Sequence, residues 1–452
     1  MADPVEPLAA DVLDVVVKAY DIRGIYPSEL GPTSARGLGY AFGIWSGASC
    51  VVVGRDMRPS GVEMAGAFAD GAMAAGADVI DIGLASTDLL YFASGHLDMP
   101  GAMLTASHNP AEYNGIKLCG AGATPVGVDS GLAEIAAIAT RGELEPAGAG
   151  ERRQRDLLDA FVTHVHSFVD AGRLAPLRVV ADTANGMGGY VLPAVFADLP
   201  FDCEVLYGEL DGTFPNHPAD PIQPENLIDL QKRVLATGAD VGLAFDGDAD
   251  RVFLVDEAGR AVSGSLLTAL VARTMLRRSG PGPILHNLIC SRAVGEVIAE
   301  AGGQPVRTRV GHSYIKSEMA RTGAVFGGEH SGHYYFADNY RADSGLIAAL
   351  IALEQLSEAA VPLSELLAPF DRYASSGEIN TRVADPGAVI RRVAAHYGEL
   401  PQDRLDGLTV DGGDWWFNLR PSNTEPLLRL NLEAADASAV EQRVSEIRAL
   451  LA

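Results

Sequence analysis

One unit recurs three times before residue 310 of this 452-residue chain: an apolar strand, a polar loop, a helix and a second strand. The first strands lie at residues 51–54, 179–182 and 283–285, the loops at 55–60, 183–189 and 286–291, and the second strands at 78–82, 203–206 and 305–309. This order of elements is the βαβ unit of a parallel sheet. Because the unit recurs, we predict three similar α/β domains.

The last 80 or so residues follow a different pattern, with strands predicted at 375–383, 408–411, 415–420 and 427–432 and helices at 387–396 and 437–451. Adjacent strands joined by short turns indicate a smaller α+β domain. The candidate domain boundaries are the glycine-rich residues 148–150, the end of the strand at 256 and Pro369. The predicted domains are therefore 1–150, 151–256, 257–369 and 370–452.

The formal net charge of −25 argues against nucleic acid and anionic membranes as partners. The four cysteines are widely spaced without a Cys-x-x-Cys pair, which is typical of reduced cytoplasmic thiols. Residues 1–10 lack the basic start of a signal peptide, and no charge-free apolar stretch approaches 18 residues. We expect a cytoplasmic protein that does not bind membranes.

Ser107 lies in a short polar turn at residues 105–110, where Pro110 ends any strand. His108 and Lys117 could offset the charge of a phosphoryl group on this hydroxyl. The alternatives are an ordinary solvated turn and a serine hydrolase. The chain has no Gly-x-Ser-x-Gly elbow, which disfavours a hydrolase.

Asp246, Asp248 and Asp250 alternate in a loop between two predicted strands. Three closely spaced carboxylates suit a hard cation, and Mg²⁺ would keep positions free for phosphate oxygens. An EF-hand calcium loop is disfavoured, because Arg251 occupies the position that requires glycine. A solvated acidic turn is the remaining alternative.

Glu329, His330, Ser331 and His333 lie in a glycine-rich loop after an apolar run, a composition that can hydrogen-bond sugar hydroxyls. A zinc site from the two histidines is only weakly indicated, because no HExxH helix is present. Arginine, serine, asparagine and threonine in residues 420–426 form a candidate phosphate site, with Arg429 just beyond. Two further motifs, at residues 18–24 and 311–316, add an arginine and a loop histidine beside glycines.

Five of these motifs, at residues 18–24, 105–110, 246–251, 328–332 and 420–426, occur in the order found in one family. The chain resembles the α-D-phosphohexomutases, the phosphomannomutase/phosphoglucomutase group, from about residue 19 to residue 429. The resemblance implies three similar α/β domains and a C-terminal α+β domain of TATA-binding-protein-like fold around a central cleft. It also implies an isomerase that transfers a phosphoryl group within its substrate.

The resemblance implies a role for each motif residue. Ser107 would carry the phosphoryl group and, with Asp246, Asp248 and Asp250, would bind one Mg²⁺ ion. Tyr20, Arg23, His108, Lys117, Arg251 and His312 would surround the reacting oxygens, with Lys117 or His333 as general base. Glu329, His330 and Ser331 would bind the sugar, and Arg420, Ser422, Asn423, Thr424 and Arg429 would bind the non-reacting phosphate.

The implied reaction converts hexose 6-phosphate to hexose 1-phosphate through a hexose 1,6-bisphosphate, which also activates the enzyme. His330 departs from the methionine or glutamine common at this position in relatives, so the sugar preference stays open. Mannose is favoured over glucose or a dual specificity, with glucosamine less favoured. A metal-dependent sugar phosphatase and a non-enzymatic sugar-phosphate sensor are the alternative functions. The expected partner is a small phosphosugar, and the chain could be a monomer or a homodimer.

Overall fold

The computed structural model describes residues 4–141, 148–421 and 427–451. The first domain contains α1 (Ala10–Val16), β1 (Ile22–Ile25), α2 (Pro32–Ser46), β2 (Cys50–Arg55), α3 (Gly61–Ala74), β3 (Asp78–Leu84), α4 (Thr87–Leu97), β4 (Gly101–Leu104), β5 (Tyr113–Gly120), β6 (Thr124–Pro125), α5 (Leu132–Ala139) and β7 (Arg152–Gln154). Its sheet has the order β1-β5-β4-β2-β3-β7, and β6 pairs with β5. The central strands β4, β2, β3 and β7 run parallel.

The second and third domains repeat this architecture on a smaller scale. They contain α6 (Leu158–His166), β8 (Arg178–Asp182), α7 (Gly188–Phe196), β9 (Asp202–Leu206), α8 (Ile228–Thr237), β10 (Val241–Phe245), β11 (Val252–Asp256), β12 (Ala261–Val262), α9 (Gly264–Ser279), β13 (Pro283–Asn287), α10 (Arg292–Glu300), β14 (Gln304–Thr308), α11 (His312–Thr322), β15 (Phe326–Gly328), β16 (Tyr334–Phe336), α12 (Gly345–Ala359) and α13 (Leu363–Leu367). The sheet orders are β12-β11-β10-β8-β9 and β14-β13-β15-β16.

The last domain is an antiparallel sheet with two helices. It contains β17 (Ala374–Arg382), α14 (Pro386–His396), β18 (Gln402–Asp403), β19 (Leu408–Asp411), β20 (Trp415–Pro421), β21 (Leu427–Ala434) and α15 (Ala437–Leu451). The strand order is β17-β21-β20-β19-β18, and every neighbouring pair is antiparallel. The predicted fold class, three similar α/β domains and a C-terminal α+β domain, is confirmed.

The hydrophobic cores separate the last domain from the other three. One buried cluster is continuous through the first three domains and includes Val52, Leu243 and Ile284. Helix α12 lies within this cluster, and every one of its residues from Gly345 to Leu356 is buried. The C-terminal domain has a core of its own, around Phe417 and Leu430. The first three domains therefore pack as one body, against which the fourth makes a separate contact.

Two strands pair across the predicted domain boundaries. Strand β7 follows Gly150 but pairs with β3 in the first sheet, and β12 follows Asp256 but pairs with β11 in the second. The division at 150, 256 and 369 stays a prediction. No helix in the described ranges is both long enough and apolar enough to span a membrane.

Candidate active site

Ser107 lies at the carboxyl end of β4, the edge where ligands bind in parallel α/β sheets. Its φ angle is +52°, a left-handed conformation that few non-glycine residues adopt. The Ser107 backbone N–H donates to Thr105 Oγ1 at 2.9 Å, and its hydroxyl donates to Asp246 Oδ2 at 2.8 Å. The fold thus brings together the serine and the acidic loop, which lie 139 residues apart in the chain.

The acidic loop joins β10 to β11 in the second domain. Asp246, Asp248 and Asp250 are at most 1 % exposed, and they offer oxygens that all lie within 4.8 Å of one another. Asp248 Oδ1 and Asp250 Oδ1 are buried without a hydrogen-bond partner among the described residues. Buried carboxylate oxygens of this kind are the ligands that a hard divalent cation requires, so the cluster fits Mg²⁺. The backbone permits the close approach, because a Cβ at Gly247 would collide with the Ser107 carbonyl oxygen.

Lys117, on β5, supplies the countercharge to this cluster. Its Nζ lies 2.7 Å from Asp248 Oδ2 and 2.6 Å from Asp250 Oδ2. Burial alone would raise the pKa of Asp248, but the ammonium group outweighs it and lowers that pKa below its ordinary value. Burial and the two neighbouring carboxylates raise the pKa of Asp246 well above its usual range. A divalent cation would relieve this repulsion.

Arg23, His108 and Arg251 lie around Ser107, and the two arginines carry the positive charge. Arg23 Nη1 donates to Asn109 Oδ1 in the same loop, and Arg251 Nε lies 3.6 Å from Asp246 Oδ2. His108 Nδ1 lies 3.2 Å from the Ser107 hydroxyl and 3.0 Å from Arg251 Nη2. Burial, followed by the positive charges of Arg251 and Arg23, lowers the pKa of His108 well below its ordinary value. His108 is therefore neutral at pH 7.

His333 lies beside the acidic cluster, on the loop between β15 and β16. Its Nδ1 is 2.8 Å from Asp343 Oδ2 and 3.6 Å from Asp250 Oδ1. Asp343 Oδ1 pairs with Lys316 Nζ at 3.1 Å, and that ammonium lies 3.5 Å from the centre of the Tyr91 ring. This chain of buried groups fixes the His333 imidazole through one of its two nitrogens.

The sugar-binding candidates lie on the same β15–β16 loop. The carboxylate of Glu329 is 2 % exposed and accepts hydrogen bonds from Asn287 Nδ2, the Gly311 N–H and the Tyr335 hydroxyl at 3.1, 3.2 and 2.8 Å. His330 Nδ1 lies 3.0 Å from Ser265 Oγ, and burial lowers the pKa of this imidazole. Ser331 is half-buried at the tip of the loop.

Tyr20 connects the first domain to the third. Its hydroxyl donates to the Val310 carbonyl at 3.0 Å, and burial raises its pKa to about 12. Gly311, with φ of +131°, leaves room for the ring, because a Cβ there would lie 2.5 Å from it. His312 begins α11, but its side chain lies outside the part of the structure that is described.

Arg420, in the candidate phosphate motif, and Arg429, just beyond it, share one carboxylate. Glu378 Oε2 lies 3.1 Å from Arg420 Nη2, and Glu378 Oε1 lies 3.4 Å from Arg429 Nη1. The Nε atoms of both arginines are buried without a hydrogen-bond partner among the described residues. Ser422, Asn423 and Thr424 lie outside the described residues. The two guanidinium groups leave donors available for an anion such as phosphate.

Sequence reasoning missed several residues of this site. Asp343, Thr87 and Arg58 contact His333, Asp248 and the Ser107 loop respectively. Arg58 follows strand β2 in the pattern Asp-x-Arg, and a search for polar residues at the carboxyl end of each strand would have found it. Thr87 follows β3 at the same distance as Arg58 follows β2, so the same search would have found it, whereas Asp343 carries no such local signal.

Comparison with known proteins identifies the family. Models of the four domains of phosphoglucomutase/phosphomannomutase, the α/β/α domains I, II and III and the C-terminal domain, match residues 14–145, 159–259, 263–373 and 378–450. The chain belongs to the phosphoglucomutase/phosphomannomutase family. The resemblance stated from the five motifs is confirmed.

Full-length relatives support this membership of the phosphoglucomutase/phosphomannomutase family. A phosphomannomutase of Salmonella montevideo is 41 % identical over 449 residues, covering 96 % of this chain and 98 % of the relative. The phosphohexose mutases of Xanthomonas campestris pv. campestris (strain ATCC 33913) are 41 % identical over 442 residues with the same coverage. A crystal structure of a family protein from Burkholderia thailandensis matches with a TM-score of 0.87 and 33 % identity, over 98 % of this chain and 97 % of that one. As a phosphohexomutase, the chain is an isomerase that acts by intramolecular phosphoryl transfer.

Proposed function

We propose that this chain interconverts mannose 6-phosphate and mannose 1-phosphate through a phosphoserine at residue 107 and a mannose 1,6-bisphosphate. The observation that carries the proposal is the 2.8 Å contact between the Ser107 hydroxyl and Asp246, within a buried cluster of three carboxylates. A phosphoryl group on Ser107 would therefore lie at the metal-binding oxygens. Mannose is the preferred sugar in this proposal because the relatives at 41 and 38 % identity include several phosphomannomutases.

In the first half-reaction the phosphoryl group passes from Ser107 to the free hydroxyl of the hexose monophosphate. The bond between Ser107 Oγ and phosphorus breaks as the bond to the sugar oxygen forms, and the hydroxyl proton passes to a base. The bisphosphate then reverses its orientation, and its other phosphate returns to Ser107. Arg23, Lys117 and Arg251 stabilise the negative charge on the phosphoryl oxygens during both transfers. A bound Mg²⁺ ion, held by Asp246, Asp248 and Asp250, would supply further charge neutralisation.

The geometry favours His333 over Lys117 as the general base. Burial alone would lower the pKa of Lys117, but the carboxylates of Asp248 and Asp250 outweigh it and raise that pKa well above its ordinary value. The two carboxylates, at 2.7 and 2.6 Å, favour the charged form of the Lys117 ammonium, which is a poor proton acceptor. His333 is bound at Nδ1 by Asp343, which leaves Nε2 for the sugar hydroxyl.

Replacing His333 with Asn tests this assignment. We expect kcat to fall by about 10²- to 10³-fold, because a general base contributes a factor of this size. The KM for mannose 1-phosphate should change by less than about threefold, since the phosphate is bound by the last domain. His217→Asn, which changes a histidine paired with Asp182 in the second domain, is the matched control and should retain the parent kcat. An unchanged kcat in His333→Asn would mean that another group accepts the proton of the sugar hydroxyl.

The fourth domain binds the phosphate that does not react. Arg420 and Arg429 each contact one carboxylate oxygen of Glu378, and the family resemblance adds Ser422, Asn423 and Thr424. The 1-phosphate and the 6-phosphate of the bisphosphate must occupy this site in turn. The site must therefore recognise the phosphate group and not the sugar carbon that carries it. We also propose that domains 1–150, 151–256, 257–369 and 370–452 contribute the phosphoserine, metal, sugar and phosphate loops respectively.

A coupled assay tests the function and the sugar together. Mannose, glucose and glucosamine 1-phosphates are compared with a trace of the matching 1,6-bisphosphate and Mg²⁺. We expect mannose to give the highest kcat/KM, with glucose within about 10²-fold, because glucose keeps every hydroxyl of mannose and differs only in the orientation of the 2-hydroxyl. Inorganic phosphate as the main product would instead identify a phosphatase. Turnover that needs no bisphosphate, from enzyme without phosphate on Ser107, would contradict the proposed intermediate.

A further inference from the structure

The Ser107 loop is supported by one buried side chain, that of Arg58. This arginine lies between β2 and α3, and its side chain is wholly buried. Residue 107 and the segment after it curve around the guanidinium group with their carbonyl oxygens turned inward. The hydrogen bonds are from Nη2 to the carbonyls of Ser107 (2.9 Å) and Asn109 (2.6 Å), from Nη1 to those of Pro110 (2.7 Å) and Tyr113 (2.9 Å), and from Nε to Asp56 Oδ2 (3.2 Å).

These five hydrogen bonds use every donor that a guanidinium group has. Four of them hold a loop that makes few backbone hydrogen bonds of its own, such as Asn109 N–H to the Ala106 carbonyl and Tyr113 N–H to the Pro110 carbonyl. Lysine has three donors around a single nitrogen and cannot reach acceptors on opposite sides of the group. The match of five donors to five acceptors therefore requires arginine.

The arrangement fixes the peptide groups on both sides of Ser107. Arg58 binds the Ser107 carbonyl, and Thr105 Oγ1 accepts a hydrogen bond from the Ser107 N–H. The Thr105 hydroxyl in turn donates to the Asp56 carboxylate. Ser107 has a left-handed φ, which costs about 1 kcal/mol for a residue with a side chain. Arg58 and Asp56 compensate for this cost. These contacts to the backbone of the loop orient the Ser107 hydroxyl toward Asp246.

Arg58 also contacts the second domain. The Phe214 ring centre lies 5.2 Å from the guanidinium carbon, and a Cβ at Gly212 would lie 2.6 Å from the Arg58 Cα. The second domain also carries the acidic cluster that Ser107 faces. Arg58 therefore lies between the Ser107 loop and the second domain, which carries the acidic cluster.

We propose that Arg58 is a positioning residue for phosphoryl transfer, holding the Ser107 loop in the one conformation that presents the phosphoserine to the metal site. The inference rests on the proposed function of Ser107. Arg58 does not touch the reacting atoms, so its effect is on the rate of transfer and not on the binding of the sugar phosphate.

The test compares Arg58→Lys with the parent enzyme in the coupled mannose 1-phosphate assay. We expect kcat to fall about 100-fold, because a displacement of about 1 Å at the reacting group costs this factor. KM should stay within about threefold. The rate at which mannose 1,6-bisphosphate phosphorylates Ser107, followed by intact mass, should fall in parallel. The phosphoserine ³¹P signal should broaden as the loop samples several conformations.

A second variant guards against loss of folding. Asp56→Asn combined with Arg58→Gln removes both buried charges together, so no unpaired charge remains to unfold the domain. Arg152→Lys, which alters an Arg–Asp pair with Asp81 elsewhere in the first domain, is the matched control and should keep the parent kcat. Thermal unfolding shows which variants are folded.

Two outcomes separate the inference from the proposed function. If the parent enzyme is phosphorylated on Ser107 and active, and both folded Arg58 variants retain kcat within about threefold, the positioning role is wrong. If the parent enzyme turns over without phosphate on Ser107, the proposed function fails first. A selective loss of kcat with unchanged KM, absent from Arg152→Lys, supports the positioning role.

Discussion

Replacing Ser107 with Ala should abolish mutase turnover, with a fall in kcat of at least about 10⁴-fold, because the phosphoryl group then has no carrier. Binding of mannose 1-phosphate, measured by calorimetry, should persist within about threefold, since Arg420 and Arg429 lie in another domain. Alanine also tolerates the left-handed φ about as well as serine does, so the variant should fold. Intact mass should show no added phosphate after incubation with the bisphosphate.

A matched control is available in the same domain. Ser130 is exposed, and its hydroxyl oxygen accepts a hydrogen bond from the Gly127 N–H at 2.8 Å. It has no role in the proposed reaction. Ser130→Ala should keep the parent kcat and the parent phosphate content. A Ser107→Ala enzyme that retained more than a tenth of the parent rate would rule out the phosphoserine.

Replacing Asp248 with Asn should lower kcat by about 10³-fold and weaken the response to Mg²⁺. Asp248 is fully buried, its Oδ2 accepts from Lys117, and its Oδ1 is one of the unpartnered oxygens of the cluster. The amide removes a negative charge and one anionic ligand. Rates measured across a Mg²⁺ series, after removal of bound metal with a chelator, should show the loss.

Asp256 provides the control for this substitution. It is also buried, at the end of β11, but its carboxylate binds Arg260 and two backbone N–H groups near it. Asp256→Asn should lower the unfolding temperature while kcat and the Mg²⁺ dependence stay within about twofold. If Asp248→Asn responded to Mg²⁺ as the parent does, the metal would have to bind elsewhere.

The secondary structure of the repeated units follows from local sequence. The strand predicted at 51–54 is β2, Cys50–Arg55, and the helix predicted at 437–451 is α15, Ala437–Leu451. Strand β18 was not predicted, because it consists of only two residues, both polar, which form no hydrophobic period. The loops that carry Ser107 and the aspartates were likewise predicted from turn residues beside apolar runs.

The partners of the site residues are a different matter. Asp343 was not predicted beside His333, nor Thr87 beside Asp248, although both contacts are hydrogen bonds between buried groups. Thr87 and Asp248 lie 161 residues apart and in different domains. No sequence period relates such positions, because their distance depends on how the start of α4 lies against the acidic loop of the second domain.

By itself the sequence determined the three βαβ units, the antiparallel last domain and the loops that hold the reactive side chains. These depend on turn residues and on the alternation of apolar positions, which act over a few neighbours. The family resemblance placed Ser107 with the three aspartates and Lys117 beside the reacting oxygens. Only the tertiary structure decided which atoms meet: Ser107 Oγ contacts Asp246, Lys117 Nζ binds Asp248, and Arg58 supports the serine loop. Those contacts arise when buried polar groups of distant segments must find partners within a shared core, and that requirement is met only in the folded chain.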